Sequence, residues 1–339
     1  MNRDLRARLK EAKPLVYDGG FGSQLFARGI ELTNSTLAND LHPNTVEDIH
    51  GDYIRAGADA IGTNTFVASE LHLKMAGKEV KDVNQLVKRA VAHAKTAVEN
   101  SGREVFIAGS VGPSPGAIEA DVGCNEFGIP DDDVRSAHER VINALAEEGV
   151  DFLNIETMFS ATEAVMIVDI ARHTGLPLAV NLTYKYTGNR AKDGFIYRTD
   201  WGHSAEDLVK ILAGENNLDT GNLLEFIQIL GLNCGAESRR KEHTGMPYAV
   251  NGIRQLHEAI EGQGVKGKRL MAYPNAGLPY LDEEQRTCYS QTPEEMATNI
   301  GELINAGASV IGGCCGTGPD HIRAFREAVD SFEGRVHHT

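Results

Sequence analysis

Three of the five cysteines stand in two glycine-bracketed motifs. Cys234 lies in Gly231-Leu232-Asn233-Cys234-Gly235, and Cys314 and Cys315 lie in Gly312-Gly313-Cys314-Cys315-Gly316-Thr317. Adjacent cysteines do not close an ordinary disulfide with each other, and along a regular strand their side chains point to opposite faces. The flanking glycines allow backbone bends that other residues avoid, so a bent strand end aims both sulfurs at one point. Three thiolates converging there make a zinc site with one position left open, the arrangement of catalytic rather than structural zinc. Soft thiolates favour zinc over magnesium or calcium. A metal so held binds a substrate thiol and presents it as a thiolate, the nucleophilic form, which suits alkyl transfer onto sulfur. Water activation prefers histidine-rich sites, and the 12 histidines show no His-x-x-x-His or His-Glu-x-x-His spacing. Cys124 and Cys288 have no partner motif and read as small apolar residues.

These residues need a scaffold that brings distant segments to one place. Short apolar runs at 15–18, 60–64, 105–110, 152–156, 178–182, 226–234, 269–274 and 310–315 alternate with amphipathic stretches. The latter include 46–56, 83–100, 131–148, 161–174 and 293–306. Three of these stretches run into a glycine just before the next strand, at Gly57, Gly149 and Gly307, the chemistry of a helix C-terminus. Alternation of this kind predicts a parallel sheet, and eight units in this length predict a closed (β/α)8 TIM-type barrel. No Gly-x-Gly-x-x-Gly follows the first strand and no phosphate-binding lysine loop occurs, so an open nucleotide-binding sheet has no support. No linker divides the chain, and residues 1–339 read as one barrel domain. The first dozen residues read as an extra N-terminal helix outside the barrel, and residues 335–339 as a frayed tail.

Active sites of such barrels are built at the C-terminal strand ends. Here those ends are polar or glycine-rich: Asp18-Gly19-Gly20, Thr63-Asn64-Thr65, Ser110-Val111-Gly112, Glu156-Thr157, Asn181, Asn233-Cys234, Asn275-Ala276-Gly277 and Cys314-Cys315. The cysteines come from the sixth and eighth strands, whose equal parity places them in one barrel layer. Net charge of −15 argues against nucleic acid or an anionic membrane surface as partner. The N-terminal stretch alternates charge through Lys13, without the apolar core of a signal peptide. Free or metal-bound thiols predict a reducing, cytoplasmic setting.

Asp18-Gly19-Gly20, Gly231-x-Asn233-Cys234 and Gly312-Gly313-Cys314-Cys315-Gly316-Thr317 together resemble the zinc-dependent homocysteine S-methyltransferases, over roughly residues 14–329. The resemblance implies that Cys234, Cys314 and Cys315 bind Zn2+, with the homocysteine sulfur completing the coordination. It places Asp18 and Glu156 at the substrate amino group, and the backbone around Gly19, Ser110 and Val111 at its carboxylate. It also leaves Asn233 as an occupant of the open zinc position when substrate is absent. Charge logic agrees, since carboxylates suit an ammonium and backbone N–H groups a carboxylate.

The methyl donor is not determined by these residues. Betaine-using members carry aromatic residues that cage a quaternary ammonium, whereas this chain has Val67 and Thr157 at the matching places and a single Trp, Trp201. The stretches Tyr273-Pro274-Asn275-Ala276-Gly277-Leu278-Pro279 and Glu156-Thr157 look more like the homocysteine module of cobalamin-dependent methionine synthase. No Asp-x-His-x-x-Gly cobalamin signature accompanies them. The expected donor is S-methylmethionine, S-adenosylmethionine or a separate methyl-corrinoid protein, with betaine or dimethylsulfoniopropionate as the alternative. Two other classes compete: a non-catalytic zinc- or thiol-binding protein, which needs no amino-acid pocket, and a metal-dependent aldolase, which needs histidine ligands at the strand ends.

Overall fold

The computed structural model describes residues 3–79, 82–186, 195–235 and 238–332. Eight strands form its main sheet: β1 Leu15–Val16, β2 Ala60–Gly62, β3 Phe106–Val111, β4 Phe152–Met158, β5 Leu178–Leu182, β6 Ile227–Cys234, β7 Arg269–Pro274 and β8 Ala308–Ile311. All neighbours pair in parallel, from β2 through β3, β4, β5, β6, β7 and β8 to β1. A bridge between Tyr17 and Ala60 brings the two end strands together, and the Asp59 N–H donates to the Val16 carbonyl at 2.7 Å. The eight expected apolar runs are these eight strands, in a TIM-type barrel.

A helix or helix pair follows each strand on the outside: Pro43–Arg55, Asp82–Ser101, Asp131–Glu147, Ala161–Ala171, Ala205–Leu212, Gly245–Gly262, Pro293–Ala297 with Ile300–Asn305, and Pro319–Asp330. Gly57, Gly149 and Gly307 adopt φ of +108°, +71° and +113°, the left-handed turn that ends each helix before the next strand. The expected continuous helix over 293–306 is two shorter ones. The Thr298 hydroxyl donates to the Glu295 carbonyl at 2.7 Å, a local bond that competes with the helical ladder.

The barrel interior is layered. Leu15, Ala60, Phe106, Ala108, Phe152, Ala179, Ile229, Met271 and Val310 form an apolar cluster distinct from the one beneath the outer helices. The N-terminal segment differs from expectation. Its helix is only Leu5–Arg8, and Leu5 and Leu9 are buried in that interior cluster, so it plugs the N-terminal end of the barrel. Burying those leucines in the lumen outweighs leaving a short helix free in solvent. Above the apolar layer, buried polar side chains Tyr17, Asn154, Asn181 and Tyr273 prepare the floor of the site. The expected irregular segment over 184–203 contains the short pairing of Lys185–Tyr186 with Tyr197–Arg198. Residues 187–194 and the expected tail at 335–339 lie outside the described residues. Among the described residues, no helix is long and apolar enough to cross a membrane.

Candidate active site

Strand β6 ends at Cys234, and β8 leaves the ladder after Ile311, short of the predicted boundary. The chain beyond β8 stays anchored. The Gly312 N–H donates to the Ala272 carbonyl at 3.0 Å, Gly313 to Asp18 at 3.0 Å and Cys314 to Pro274 at 2.9 Å. The Cys315 N–H donates to the Asn275 side chain at 3.1 Å, and the Thr317 hydroxyl to the Cys314 carbonyl at 2.7 Å. Gly313 is needed for space, since a Cβ there would lie 2.4 Å from the Thr317 hydroxyl. Only Gly316 in this motif has a left-handed backbone, φ +80°. Cys234 itself adopts φ +52°, an uncommon state for a non-glycine residue, followed by Gly235 at +71°.

This geometry gathers the Sγ atoms of Cys234, Cys314 and Cys315 within 4.8 Å of one another. Zinc–sulfur bonds of about 2.3 Å at tetrahedral angles place sulfurs about 3.8 Å apart, so one ion fits the three donors. Without metal the cluster shares protons. Hydrogen bonds from Cys314 and then Cys315 draw the Cys234 thiol well below its ordinary value. The same bonds raise Cys314, and push Cys315 up to about 12. One thiolate sits there easily, and a cation is required for three. The zinc reading therefore fits the donor set.

The sulfurs face a cavity of about 340 Å3, inside the range of roughly 300–1,000 Å3 typical of small-molecule sites. Asp18, Gly19, Ser110, Glu156, Thr157 and Tyr273 line it together with all three cysteines. Asp18 accepts the Gly62 N–H at 2.8 Å; burial, and then the charge of Glu156, raises its carboxyl well above the usual range. Glu156 accepts the Ser110 hydroxyl at 2.5 Å on one oxygen and the Tyr273 hydroxyl at 3.2 Å on the other. Burial raises Glu156 to about 7 despite those two bonds. Two desolvated carboxyls thus share one cavity, where a nearby cation would favour their charged forms.

Thr157, next to Glu156, has φ +59°, and the β4–β5 register shifts between Ile155 and Met158. A left-handed threonine is strained by ~1–3 kcal/mol. Asn233 offsets this by clamping it: the Thr157 N–H donates to Asn233 Oδ1 at 2.8 Å, and Asn233 Nδ2 donates to the Thr157 hydroxyl at 2.7 Å. The carboxamide oxygen of Asn233 is thereby engaged, and it is Nδ2 that faces Cys314 Sγ, at 3.9 Å. In this arrangement the side chain braces Thr157 and turns its nitrogen rather than its oxygen toward the sulfurs. Ser110 and Val111 also depart from expectation. The Ser110 N–H already donates to the Thr63 hydroxyl at 3.1 Å, so Ser110 enters the site through its own hydroxyl. Val111 is buried in the pairing with Ile155 and is absent from the cavity lining. Gly19 does line the cavity, and a Cβ there would lie 2.8 Å from the Tyr53 ring.

Three phenylalanines in the lining are not among the residues the sequence singles out: Phe21, Phe66 and Phe159. Each follows a polar strand end by one to three residues, after Gly20, Thr65 and Glu156, which was the available signal. Val67 is not in the lining. A wider groove of about 700 Å3 between the helices Ala205–Leu212 and Gly245–Gly262 holds none of the cysteines or the paired carboxylates, so its size does not make it the reactive site.

The model of the family described as homocysteine S-methyltransferase matches residues 15–329. The chain belongs to the homocysteine S-methyltransferase family. It is 26% identical over 344 residues to betaine–homocysteine S-methyltransferase 1 of Danio rerio, covering 98% of this chain and 77% of that one. It is 26% identical to homocysteine S-methyltransferase 4 of Zea mays, covering 97% and 93%. Against methionine synthase of Mycobacterium tuberculosis it is 28% identical over 94% of this chain, but spans only 25% of that protein. Among solved structures, the metallated homocysteine methyltransferase MmuM of Escherichia coli shares the fold with a TM-score of 0.70. That alignment has 23% identity and covers 95% of this chain and 99% of that one. The chain is thus a methyltransferase whose family motifs converge on a cavity holding three cysteines and two carboxyls.

Proposed function

We propose that this methyltransferase converts homocysteine to methionine at a zinc site formed by Cys234, Cys314 and Cys315. The observation that carries the proposal is the convergence of those sulfurs with the Asp18 and Glu156 carboxyls on one cavity. Homocysteine carries a thiol and an ammonium, and the cavity offers a matched group for each. Zinc held by the three thiolates would supply Lewis acidity that lowers a bound thiol's pKa, so the sulfur reacts as thiolate. Asp18 and Glu156 receive the ammonium, and the hydroxyls of Ser110 and Tyr273 hold Glu156 in place. The new sulfur–carbon bond forms as the donor's bond to its methyl breaks, with the bonding pair leaving on the donor. Reduced cysteines suit a cytoplasmic setting.

Phe21, Phe66 and Phe159 offer aromatic faces to a positively charged methyl donor. Among the described residues, Asp18 and Glu156 are the cavity's only ionisable lining side chains other than cysteines and tyrosines. That balance favours a donor of net positive charge, such as S-methylmethionine, over betaine, which carries no net charge. S-Adenosylmethionine is bulkier for a cavity of about 340 Å3 that also holds homocysteine.

A second reading has an observation of its own. All eight exposed large apolar side chains among the described residues, from Phe26 and Leu41 through Phe127 and Phe159 to Tyr280 and Leu281, follow a strand and precede its main outer helix. They lie in segments at the catalytic end, where a methyl-corrinoid protein would dock. A donor panel separates the readings. Zinc-loaded protein is incubated with homocysteine and S-methylmethionine, S-adenosylmethionine, betaine or methylcobalamin, and methionine is measured. Turnover with S-methylmethionine supports the leading reading, and turnover with methylcobalamin alone replaces it. Absence of methionine from every arm, with zinc bound, refutes the small-donor reading.

A further inference from the structure

Beneath Glu156 the barrel interior carries amides where branched apolar residues usually fill such a core. Asn154 is fully buried on β4, two residues before Glu156 and on the same face of the strand. Its Nδ2 donates to the Tyr273 hydroxyl at 3.0 Å and to the Tyr17 hydroxyl at 3.3 Å. Its Oδ1 accepts from Asn181 Nδ2 at 2.8 Å, which fixes which end of the amide faces the tyrosines. Asn181 is fully buried as well, and its own oxygen has no protein partner. Buried amides carry a desolvation penalty that an apolar filler would not, so packing alone does not explain the pair.

Their donors run in one direction. An amide nitrogen only donates, so the Tyr273 oxygen must accept from Asn154. A tyrosine has a single hydroxyl hydrogen, and the remaining partner of Tyr273 is Glu156 Oε2 at 3.2 Å. Asn181 therefore orients Asn154, Asn154 orients Tyr273, and Tyr273 presents its hydrogen to the carboxylate. Ser110 does the same for the other oxygen. Tyr17 packs against Tyr273 with ring centroids 5.4 Å apart and restrains its ring.

We propose that Asn154 is a positioning residue for recognition of the substrate's amino group. Acting through Tyr273, it sets the hydrogen-bond polarity that keeps Glu156 a hydrogen-bond acceptor aimed at the ammonium. This inference rests on the homocysteine reading of the site and adds to it a determinant that touches neither substrate nor metal.

The test uses zinc-loaded full-length protein and two ligands, homocysteine and 4-mercaptobutyrate, the same thiol acid without the amino group. Dissociation constants and zinc content are measured for wild type, Asn154→Leu, Tyr273→Phe and the double variant. Asn154→Leu and Tyr273→Phe should each weaken homocysteine about tenfold, the loss expected for one hydrogen bond to a charged group. 4-Mercaptobutyrate affinity and zinc content should stay at wild-type values. The double variant should be no worse than Tyr273→Phe alone, because both act through one hydrogen bond. Equal weakening of both ligands, or homocysteine affinity unchanged in Asn154→Leu, overturns the inference. Should Asn154→Leu not fold, Tyr273→Phe, which removes one oxygen, decides alone: unchanged homocysteine affinity overturns it. Wild-type protein that holds zinc yet binds neither ligand refutes the homocysteine reading, and this inference with it. Wild type that prefers homocysteine, with Asn154→Leu showing the same preference, refutes only the inference.

Discussion

Replacing Glu156 by Gln removes one of the two carboxyls while leaving a side chain of nearly the same shape. Two unit charges about 4 Å apart attract by about 4 kcal/mol at an effective dielectric of ~20. Ionising Glu156, raised to about 7, costs only ~0.4 kcal/mol at neutral pH, and Asp18 remains in the cavity to share the ammonium. About half of the attraction is then lost, ~2 kcal/mol, or roughly thirtyfold in the homocysteine dissociation constant. Titration calorimetry on zinc-loaded protein measures this, with metal content determined on the same sample. The pH profile supplies a second readout. Ionised Glu156 favours the ammonium, so wild-type affinity should rise as pH passes through about 7, and that step should vanish in Glu156→Gln. Parallel loss of zinc and homocysteine would assign Glu156 a structural role. An unchanged dissociation constant, or a pH 7 step that survives the substitution, would refute the charge argument.

Changing Cys234, Cys314 or Cys315 to Ala should each reduce bound zinc from about one per chain to near none, with methionine formation lost alongside; full activity in a zinc-free triple variant would refute the mechanism. Phe66→Ala should raise the KM for a cationic methyl donor several-fold, as expected for a cation–π contact of ~1 kcal/mol, while homocysteine affinity stays unchanged in calorimetry. Leu5→Ala should destabilise the fold by about 2–4 kcal/mol in denaturant titration, because Leu5 is buried in the barrel lumen. A change below ~0.5 kcal/mol would mean the N-terminal segment does not plug the barrel.

The strands were legible because each of the eight apolar runs is bounded by turn chemistry and a polar end. The cysteine site was legible because two glycine-bracketed motifs on strands of equal parity can meet in one layer. What stayed hidden depends on which atom of a residue faces where. Sequence marks Asn233 as a site residue, but only the strained backbone of Thr157 explains why its oxygen is engaged away from the sulfurs. Ser110 was assigned through its backbone, whereas Thr63 already takes that N–H and the hydroxyl serves Glu156. Val111 alternates away from the cavity by the two-residue period of its strand. Glycines around Cys314 suggested unusual dihedrals, yet Gly313 makes room for Thr317. The N-terminal helix is legible, but its packing is not, because four residues carry too little periodicity to show that Leu5 and Leu9 enter the lumen. Asn154 sits in a run that reads as apolar, Asn181 reads only as a polar strand end, and their linkage to Tyr273 exists only in three dimensions.

The central claim is that the three cysteines hold zinc with one position for the substrate sulfur. X-ray absorption at the zinc edge, before and after addition of homocysteine, tests it most directly. The account predicts three sulfur neighbours at about 2.3 Å in the free protein and a fourth when homocysteine is added. A sulfur count that does not change on homocysteine binding would contradict it.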